Sequence, residues 1–280
     1  RDHPQHRGLA AAGGTEKRHE LSLAALHPVR DQFALSLAVA ADALTLPRFA
    51  ARNFTVDLKA NQTEVTEVDR GTETLIMDLI RAQRPHHAWY GEEHGSGGDG
   101  EYTWVIDPID GTSNFVRGVP VWATLIGLVH RDRGPVLGVV SAPAMATRWW
   151  GYEGSGAFCN GHAIHVSDVT SLYDSHLSIT ANDAWNSAGK SQNIARLTQT
   201  VKRVRGFGDF WQHMLVAQGA VDIAVDAIGL EPYDIAALVP IVHAAGGTLS
   251  DRTGTPNWRA DSAISTNTAL HNDVIAILNS

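Results

Sequence analysis

Apolar and polar positions follow one pattern before about residue 170 and a different one after it. In the first part, two stretches of helical periodicity, near 30–50 and 66–84, are followed by apolar runs of strand length joined by tight turns. In the second part, short apolar runs alternate with helix-length segments up to residue 280. This pattern predicts one domain over 29–280, with an α+β half over 29–170 and an α/β half over 171–280.

Periodicity and turn residues place the individual elements. Helices are predicted over 30–50, 66–84, 194–201, 210–218, 233–245 and 270–278, and strands over 88–91, 103–106, 121–129, 135–141, 148–152, 177–179, 221–225, 248–250 and 263–265. At the start of the second helix, Thr66 and Asp69 resemble a capping box with Asp in the Glu position. A formal G-x-G-x-x-G lies over 95–100, but it precedes a strand and opens no helix, so it predicts a flexible loop rather than a dinucleotide site.

Residues 1–28 show no clear period. They contain four histidines and a Gly-Gly pair. We expect a flexible N-terminal extension or a short accessory helix there.

Composition limits the possible partners. The net charge of −8 comes with no basic cluster, so nucleic acid is not expected as a main partner. Cys159 is the only cysteine, which excludes an intrachain disulfide and a thiolate zinc cluster and favours a reducing, cytoplasmic location. No apolar run approaches the roughly 20 residues of a membrane span, and no signal pattern opens the sequence. We therefore expect no membrane partner.

The candidate chemistry centres on the residues that follow the strand predicted over 103–106. Pro108 favours a turn after Asp107, and the first and fourth residues of a turn lie within about 7 Å of each other. Asp107 and Asp110 therefore converge, and two carboxylates so close repel unless a proton or a metal ion lies between them. Gly111 and Thr112 follow, where a helix start could attract phosphate. The run predicts a metal–phosphate site, although an ordinary turn is the commoner meaning of this spacing alone.

Glu92 and Glu93 follow the strand predicted over 88–91 just as Asp107 follows its own strand. A solvated sheet edge is the simpler explanation of a glutamate pair. The topology shared with Asp107 favours a functional role.

Several segments together resemble the inositol monophosphatase superfamily. The matching segments are 91–93 (GEE), 107–115 (DPIDGTSNF), 233–237 (YDIAA) and 244–247 (AAGG), while 116–122, 141–144, 148–150 and 208–210 are more similar to its histidinol-phosphate phosphatase branch. The resemblance spans about residues 30–280. It implies a layered αβαβα sandwich of the inositol monophosphatase and fructose-1,6-bisphosphatase type, usually a homodimer, that hydrolyses phosphate monoesters with Mg²⁺.

The same resemblance implies roles for individual residues. Glu92, Asp107 and the Ile109 carbonyl would hold one Mg²⁺ ion, and Asp107, Asp110 and Asp234 a second, with a third, weaker ion possible in the family. Hard oxygen ligands without cysteine suit this metal, and two such ions can clamp phosphate and activate water. The implied catalytic residues are Glu92, Asp107 and Thr112. The implied substrate contacts are Asp110, Gly111, Thr112, Arg205, Asp209, Asp226 and Asp234.

The segment 59–69 resembles the family's first motif but departs from it. Relatives carry an aspartate, expected at the position of Asn61 or Thr63, that pairs with the water-activating threonine. An amide or a hydroxyl cannot accept a proton to the same extent. We therefore expect weakened water activation by Thr112.

Two of the implied substrate contacts have simpler explanations, and a third departs from the family spacing. Asp209 could be only a helix N-cap, and Arg205 could be a surface charge. The stretch from Asp226 to Asp234 is one residue longer than the family spacing.

The preferred hypothesis is a Mg²⁺-dependent phosphatase that converts L-histidinol phosphate to L-histidinol and phosphate. Asp209 and the Arg-Trp-Trp run at 148–150 favour this substrate, since a cationic amine suits a carboxylate. Myo-inositol monophosphate is the alternative, followed by fructose bisphosphate and adenosine bisphosphate. The alternative from a different class is a non-catalytic protein that binds metal or phosphate. The expected absence of the family's aspartate at Asn61 or Thr63 supports it.

Overall fold

The computed structural model describes the backbone of residues 14–180 and 182–280, and side chains from Gln32 onward within those ranges. The extension predicted over residues 1–28 lies outside the described side chains, and residues 1–13 lie outside the described backbone as well.

Two long helices come first along the chain, and shorter ones follow. The helices are α1 (Gly14–Ala51), α2 (Glu67–Gln83), α3 (Thr112–Arg117), α4 (Asp183–Ser187), α5 (Ser191–Thr200), α6 (Asp209–Ala217), α7 (Pro232–Ile235), α8 (Leu238–Ala244) and α9 (His271–Leu278). The segment predicted as a helix over 30–50 is therefore the C-terminal part of a longer one. The single helix predicted over 233–245 is divided into α7 and α8.

The strands of the described residues form an eight-stranded sheet, a five-stranded sheet and a two-stranded ribbon. They are β1 (Val56–Leu58), β2 (Glu64–Thr66), β3 (Ala88–Gly91), β4 (Gly95–Gly97), β5 (Tyr102–Asp110), β6 (Ala123–His130), β7 (Gly134–Ala142), β8 (Thr147–Tyr152), β9 (Gly156–Cys159), β10 (His162–Ile164), β11 (His176–Ile179), β12 (Arg203–Arg205), β13 (Ile223–Val225), β14 (Gly247–Ser250) and β15 (Ile264–Asn267). The larger sheet has the order β10-β9-β8-β7-β6-β5-β3-β4 and the smaller one β12-β11-β13-β15-β14. The prediction of a flexible loop over 95–100 is wrong for its first three residues, which form β4 and pair with β3.

The helices and sheets stack in five layers. Apolar residues of α1 and α2 pack against one face of the eight-stranded sheet, in a cluster with Trp104 and Ile126. Residues of α6 and α8 fill the space between that sheet and the five-stranded one. The outer face of the smaller sheet is covered by α5 and α9. This order confirms the predicted αβαβα sandwich.

Part of α1 corrects the expectation about apolar runs. The 20 residues Gln32–Ala51 have a mean hydropathy of 1.4, which is long and apolar enough for a membrane span by length and composition alone. Core helices pass the same test, and here Leu37 and Ala41 are fully buried against the sheet. Asp42 on the same helix pairs with Arg148 of β8 at 2.5 Å.

Three glycines lie side by side across neighbouring strands of the larger sheet. Gly127 of β6 is opposite Gly138 of β7, which is opposite Gly151 of β8. A Cβ added to Gly138 would overlap the carbonyl oxygen of Ala237, between α7 and α8. We call these three residues the glycine trough. It lets the helices lie directly on the sheet backbone, which brings Asp234 of α7 to the end of β5.

Candidate active site

The turn predicted after Asp107 is an irregular continuation of β5. The pairing of β5 with β6 shifts between Asp107 and Asp110. Asp107 Oδ1 accepts a hydrogen bond from the Ile109 backbone N–H at 3.0 Å, which holds the carboxylate over the bend. Gly111 then has a φ of 83°, a left-handed conformation that suits glycine, and α3 begins at the next residue.

Three carboxylates meet at this bend. Oxygens of Asp107, Asp110 and Asp234 all lie within 4.8 Å of one another. Burial, followed by the charges of its acidic neighbours, raises the pKa of Asp107 and of Asp110 well above the usual range for Asp. Burial with the charges of Glu92 and Asp226 raises the pKa of Asp234 to about 7. Such a cluster is unfavourable when every member is ionised, and a bound cation would relieve it.

Glu92 lies beside the three carboxylates rather than within their group. Its charge is the strongest of the neighbouring charges that raise the pKa of Asp107. Its carboxylate pairs with Lys59 Nζ at 2.7 Å, and the same ammonium pairs with Glu93 at 2.6 Å. Although burial alone would lower it, these hydrogen bonds raise the pKa of Lys59. Sequence reasoning missed Lys59, although it opens the 59–69 segment that was matched to the family.

A second glutamate supports the Glu92 turn from behind. Glu73 of α2 is fully buried and accepts hydrogen bonds from the backbone N–H groups of Glu93, at 2.8 Å, and His94, at 2.9 Å. A side chain on Gly91 would overlap this carboxylate. The glycine of the GEE run is therefore required by a close approach to Glu73.

Thr112 has a carboxylate partner, which corrects the expectation about Asn61 and Thr63. The Thr112 hydroxyl donates to Asp69 Oδ1 at 3.1 Å and lies 3.0 Å from the Ile109 carbonyl oxygen. Asn61 instead accepts hydrogen bonds from Thr63. The expected loss of the partner is therefore wrong, because Asp69 supplies it.

Asp69 was recognised from the sequence only as a helix-capping residue. The capping box with Thr66 is present, and Asp69 Oδ2 accepts from the Thr66 backbone N–H at 2.9 Å. Burial raises the pKa of the Asp69 carboxyl. The same carboxylate thus serves the start of α2 and the side chain of Thr112.

Asp209 is not an N-cap, so the simpler explanation of it is wrong. Gly208 occupies the cap position, and Asp209 is the first residue of α6 with a φ of 47°. Its Oδ2 accepts from Asn114 Nδ2 at 3.1 Å, and it lies 3.4 Å from where a Cβ of Gly111 would be. Burial and the charge of Asp226 raise its pKa to about 6. The next backbone N–H, of Phe210, donates to Asp110 at 2.8 Å.

Asp226 follows β13 and adjoins the same acids. Its charge contributes to the raised pKa values of Asp110, Asp209 and Asp234. His213 of α6, which the sequence analysis did not single out, contacts Asp226 Oδ2 at 3.0 Å.

Among the described residues, Arg205 and the Arg-Trp-Trp run form no ion pair with the acids of the site, and Arg148 of the run pairs with Asp42 of α1 instead. Arg205 Nη1 donates to the neighbouring carbonyl of Val204, and no contact joins it to an acid within the described part of this chain. Trp149 is buried against Phe210 and donates to Gln218 Oε1 at 2.9 Å, so it supports α6. The run is therefore part of the scaffold rather than of the acidic site.

Comparison with known proteins identifies the family. Residues 27–280 match the model of the inositol monophosphatase family, which is most of the chain. The chain belongs to the inositol monophosphatase family. This family is metal-dependent, and the Asp107–Asp110–Asp234 cluster is a set of oxygen donors that could hold an ion.

The similar relatives of this family member include histidinol-phosphatases. That of Streptomyces coelicolor is 43% identical over 251 residues, covering 87% of this chain and 94% of the relative. That of Mycobacterium tuberculosis is 43% identical over 254 residues, covering 88% and 96%. Among solved structures, the Thermotoga maritima IMPase has a TM-score of 0.79 and 32% identity, covering 89% of this chain and 96% of that one. The protein is a phosphoric monoester hydrolase of this family.

Proposed function

We propose that this family member is a Mg²⁺-dependent phosphatase that hydrolyses L-histidinol phosphate to L-histidinol and phosphate. The observation that carries the proposal is the second acidic pair, Asp209 and Asp226, which adjoins the three clustered carboxylates. Within the described residues, no lysine or arginine pairs with either of them. A substrate ammonium would supply the missing positive charge. The two relatives named histidinol-phosphatases support the same choice.

The acidic cluster fits Mg²⁺. Its donors are carboxylate oxygens, which this ion prefers, and the raised pKa values of its members reflect charges that lack a cation. Glu92, Asp107 and the Ile109 carbonyl would hold one ion, and Asp107, Asp110 and Asp234 a second. When bound, such ions polarise the phosphoryl group and ease deprotonation of the attacking water.

The chain's own residues account for the handling of water and substrate. The Thr112 hydroxyl donates a hydrogen bond to Asp69, so its oxygen can accept a hydrogen bond from the attacking water. The raised pKa of Asp69 makes it a better proton acceptor. The backbone N–H groups of Gly111 and Thr112 would bind the phosphate, and Asp209 and Asp226 would bind the ammonium of the leaving alcohol. As water forms its bond to phosphorus, it passes a proton through Thr112 to Asp69 and the ester P–O bond breaks. The leaving oxygen takes up a proton from solvent water, which gives the free alcohol.

The non-catalytic alternative loses its support. That alternative rested on the expectation that Thr112 has no carboxylate partner, whereas the Thr112 hydroxyl donates a hydrogen bond to Asp69.

A substrate panel tests the proposal. Phosphate release would be measured with histidinol phosphate, myo-inositol monophosphate, fructose bisphosphate and adenosine bisphosphate, each with and without Mg²⁺. We expect kcat/KM for histidinol phosphate to exceed the others by at least about tenfold. A larger kcat/KM for inositol monophosphate would make that compound the substrate in place of histidinol phosphate. Phosphate release at the same rate with and without Mg²⁺ would contradict the metal dependence.

The variant Asp209→Asn tests the observation itself. A charge-assisted hydrogen bond to ammonium contributes about 1.5–3 kcal/mol, so kcat/KM for histidinol phosphate should fall by about 10- to 100-fold. Hydrolysis of a small neutral-alcohol phosphate should barely change. An equal loss for both substrates would show that Asp209 supports the site and does not select the substrate.

A homodimer is also proposed, because the resemblance implies one. Sedimentation equilibrium would give twice the chain mass of 30.1 kDa if it forms. The cytoplasmic location inferred from the single cysteine stays a prediction.

A further inference from the structure

Two buried polar residues lie next to each other on α6, and the proposed reaction uses neither. Gln212 and His213 are both fully buried. Gln212 bonds to the region of β11, accepting from Ser178 Oγ at 3.0 Å and donating to Thr180 Oγ1 at 3.1 Å. His213 bonds to Asp226, which is one of the proposed substrate contacts. Of these two buried residues, His213 is therefore the one in direct contact with the acidic pair.

The Asp226 carboxylate is held from two sides. Its Oδ1 accepts from the Ala227 backbone N–H at 2.7 Å, and its Oδ2 lies 3.0 Å from His213 Nε2. Each carboxylate oxygen can accept about two hydrogen bonds. One acceptor site on each oxygen is left for a ligand, while the two contacts hold the plane of the carboxylate.

His213 is in turn held by the sheet. Its Nδ1 lies 2.7 Å from Ser265 Oγ, and Ser265 belongs to β15, which pairs with β13 on one side and β14 on the other. His213 follows Asp209 by four residues, so the two share one face of α6. This helix thus presents Asp209 directly and supports Asp226 through His213.

We propose that His213 is a positioning residue for substrate selection. Its hydrogen bond holds Asp226 where that carboxylate and Asp209 together can pair with a primary ammonium on the leaving alcohol. The inference rests on the proposed function, because it takes the substrate to be an amino-alcohol phosphate. An ammonium group has three donors, so two carboxylates at one end of a site can both be satisfied by it.

Two amide substitutions at this position separate positioning from packing. In His213→Gln the side-chain amide reaches the place of Nε2 and can still donate to Asp226. In His213→Asn the shorter side chain keeps a partner for Ser265 but leaves Asp226 without this donor. The measured quantity is selectivity, the ratio of kcat/KM for histidinol phosphate to that for phenyl phosphate, which has no amine. We expect it to fall about tenfold in His213→Asn, through KM, and to stay within about threefold of wild type in His213→Gln.

Gln212→Leu is the matched control. It removes buried hydrogen bonds from the same helix without touching Asp226, so the melting temperature should fall while selectivity stays unchanged. The double variant His213→Asn/Asp226→Asn should be no less selective than Asp226→Asn alone, because His213 acts through that carboxylate.

Each outcome decides the inference. Wild-type selectivity in His213→Asn, or an equal loss in Gln212→Leu, would overturn the positioning role while leaving the proposed function intact. A wild-type enzyme with no preference for histidinol phosphate over phenyl phosphate would refute the proposed function, and the inference would fall with it.

Discussion

At the scale of single residues, Asp69 combines two duties in one carboxylate. Its Oδ2 receives the backbone N–H and the hydroxyl of Thr66, which begins α2, and its Oδ1 receives the hydroxyl of Thr112. A sequence reader sees only the first duty, because Thr66 is three residues away and Thr112 is 43 residues away. The second contact depends on α2 packing beside β5, which no local pattern reveals.

Asp69→Asn should lower kcat by about 100-fold, since an amide cannot take a proton from Thr112 or water. Magnesium binding, measured by calorimetry, should change little. Asn61→Ala is the control and should be near wild type, because the hydrogen bonds of Asn61 within the described part of the chain are to Thr63 of its own turn. A larger loss of kcat in Asn61→Ala than in Asp69→Asn would show that the partner of Thr112 acts from the position of Asn61, as first expected from the sequence.

Asp107→Asn should abolish turnover and magnesium binding together. This carboxylate would bridge both ions, and an amide lacks the charge. Turnover near that of wild type at saturating Mg²⁺ would contradict the two-ion assignment.

At the scale of elements, the glycine trough determines where α7 and α8 lie. Because Gly127, Gly138 and Gly151 have no side chains, the helices approach the sheet backbone closely. The hydrophobic pattern predicts the strands that carry these glycines but indicates no role for the glycines themselves. Their alignment depends on the register of three strands, and that register is a property of the folded sheet.

Gly138→Ala should destabilise the fold by about 1–3 kcal/mol, the usual range for overpacking. It should also weaken magnesium binding, because displacing α7 moves Asp234 away from Asp107. Gly71→Ala, in α2 with nothing near its Cβ, is the control. It should stabilise the protein by about 1 kcal/mol through helix propensity. If Gly138→Ala is destabilised but binds magnesium with the affinity of wild type, the glycine trough does not determine the position of Asp234.

At the scale of the whole molecule, the acids come from both halves of the chain. Asp107 and Asp110 lie on the larger sheet, whereas Asp209 begins α6, Asp226 follows β13 and Asp234 lies in α7, all in the second half. The halves were predictable from hydrophobic pattern, and so were the acids that follow strands. Their convergence was supplied by the family resemblance, because no spacing in the sequence states which strand ends meet.

Stability without metal should depend on pH. Asp209 and Asp234 have pKa values of about 6 and about 7 in the folded chain, raised from 3.8. A raised acid pKa gives stability that is complete below about pH 4 and is lost as pH rises through about 6 to 7. The melting temperature in the presence of a chelator should therefore fall as the pH rises from about 4 to about 7. The increase in melting temperature that Mg²⁺ causes should grow over the same pH range. Asp234→Asn should reduce both trends, whereas trends of unchanged size would place the repulsion elsewhere.

Removing residues 1–25 should leave the fold and turnover intact, because that stretch offers little apolar surface to bury. The family match begins only at residue 27, and among the side chains of α1 that the structure describes, Phe33 is the first buried one. Circular dichroism melting and phosphate release would be compared with the full chain. A large fall in melting temperature would show that the removed segment is docked.

Thr112 and the Asp209–Asp226 pair have separate supports, which has a consequence for how members of this family diversify. Asp69 connects Thr112 to the start of α2, so under the proposed mechanism a change there would affect both folding and catalysis. Asp209 and Asp226 are hydrogen-bonded to different residues, Asn114 and His213. If these two acids contact the leaving alcohol as proposed, substitutions at Asp226 or His213 would alter the accepted alcohol while leaving the hydrogen bond between Thr112 and Asp69 in place. One scaffold can thus give rise to relatives named for histidinol phosphate and for inositol phosphate.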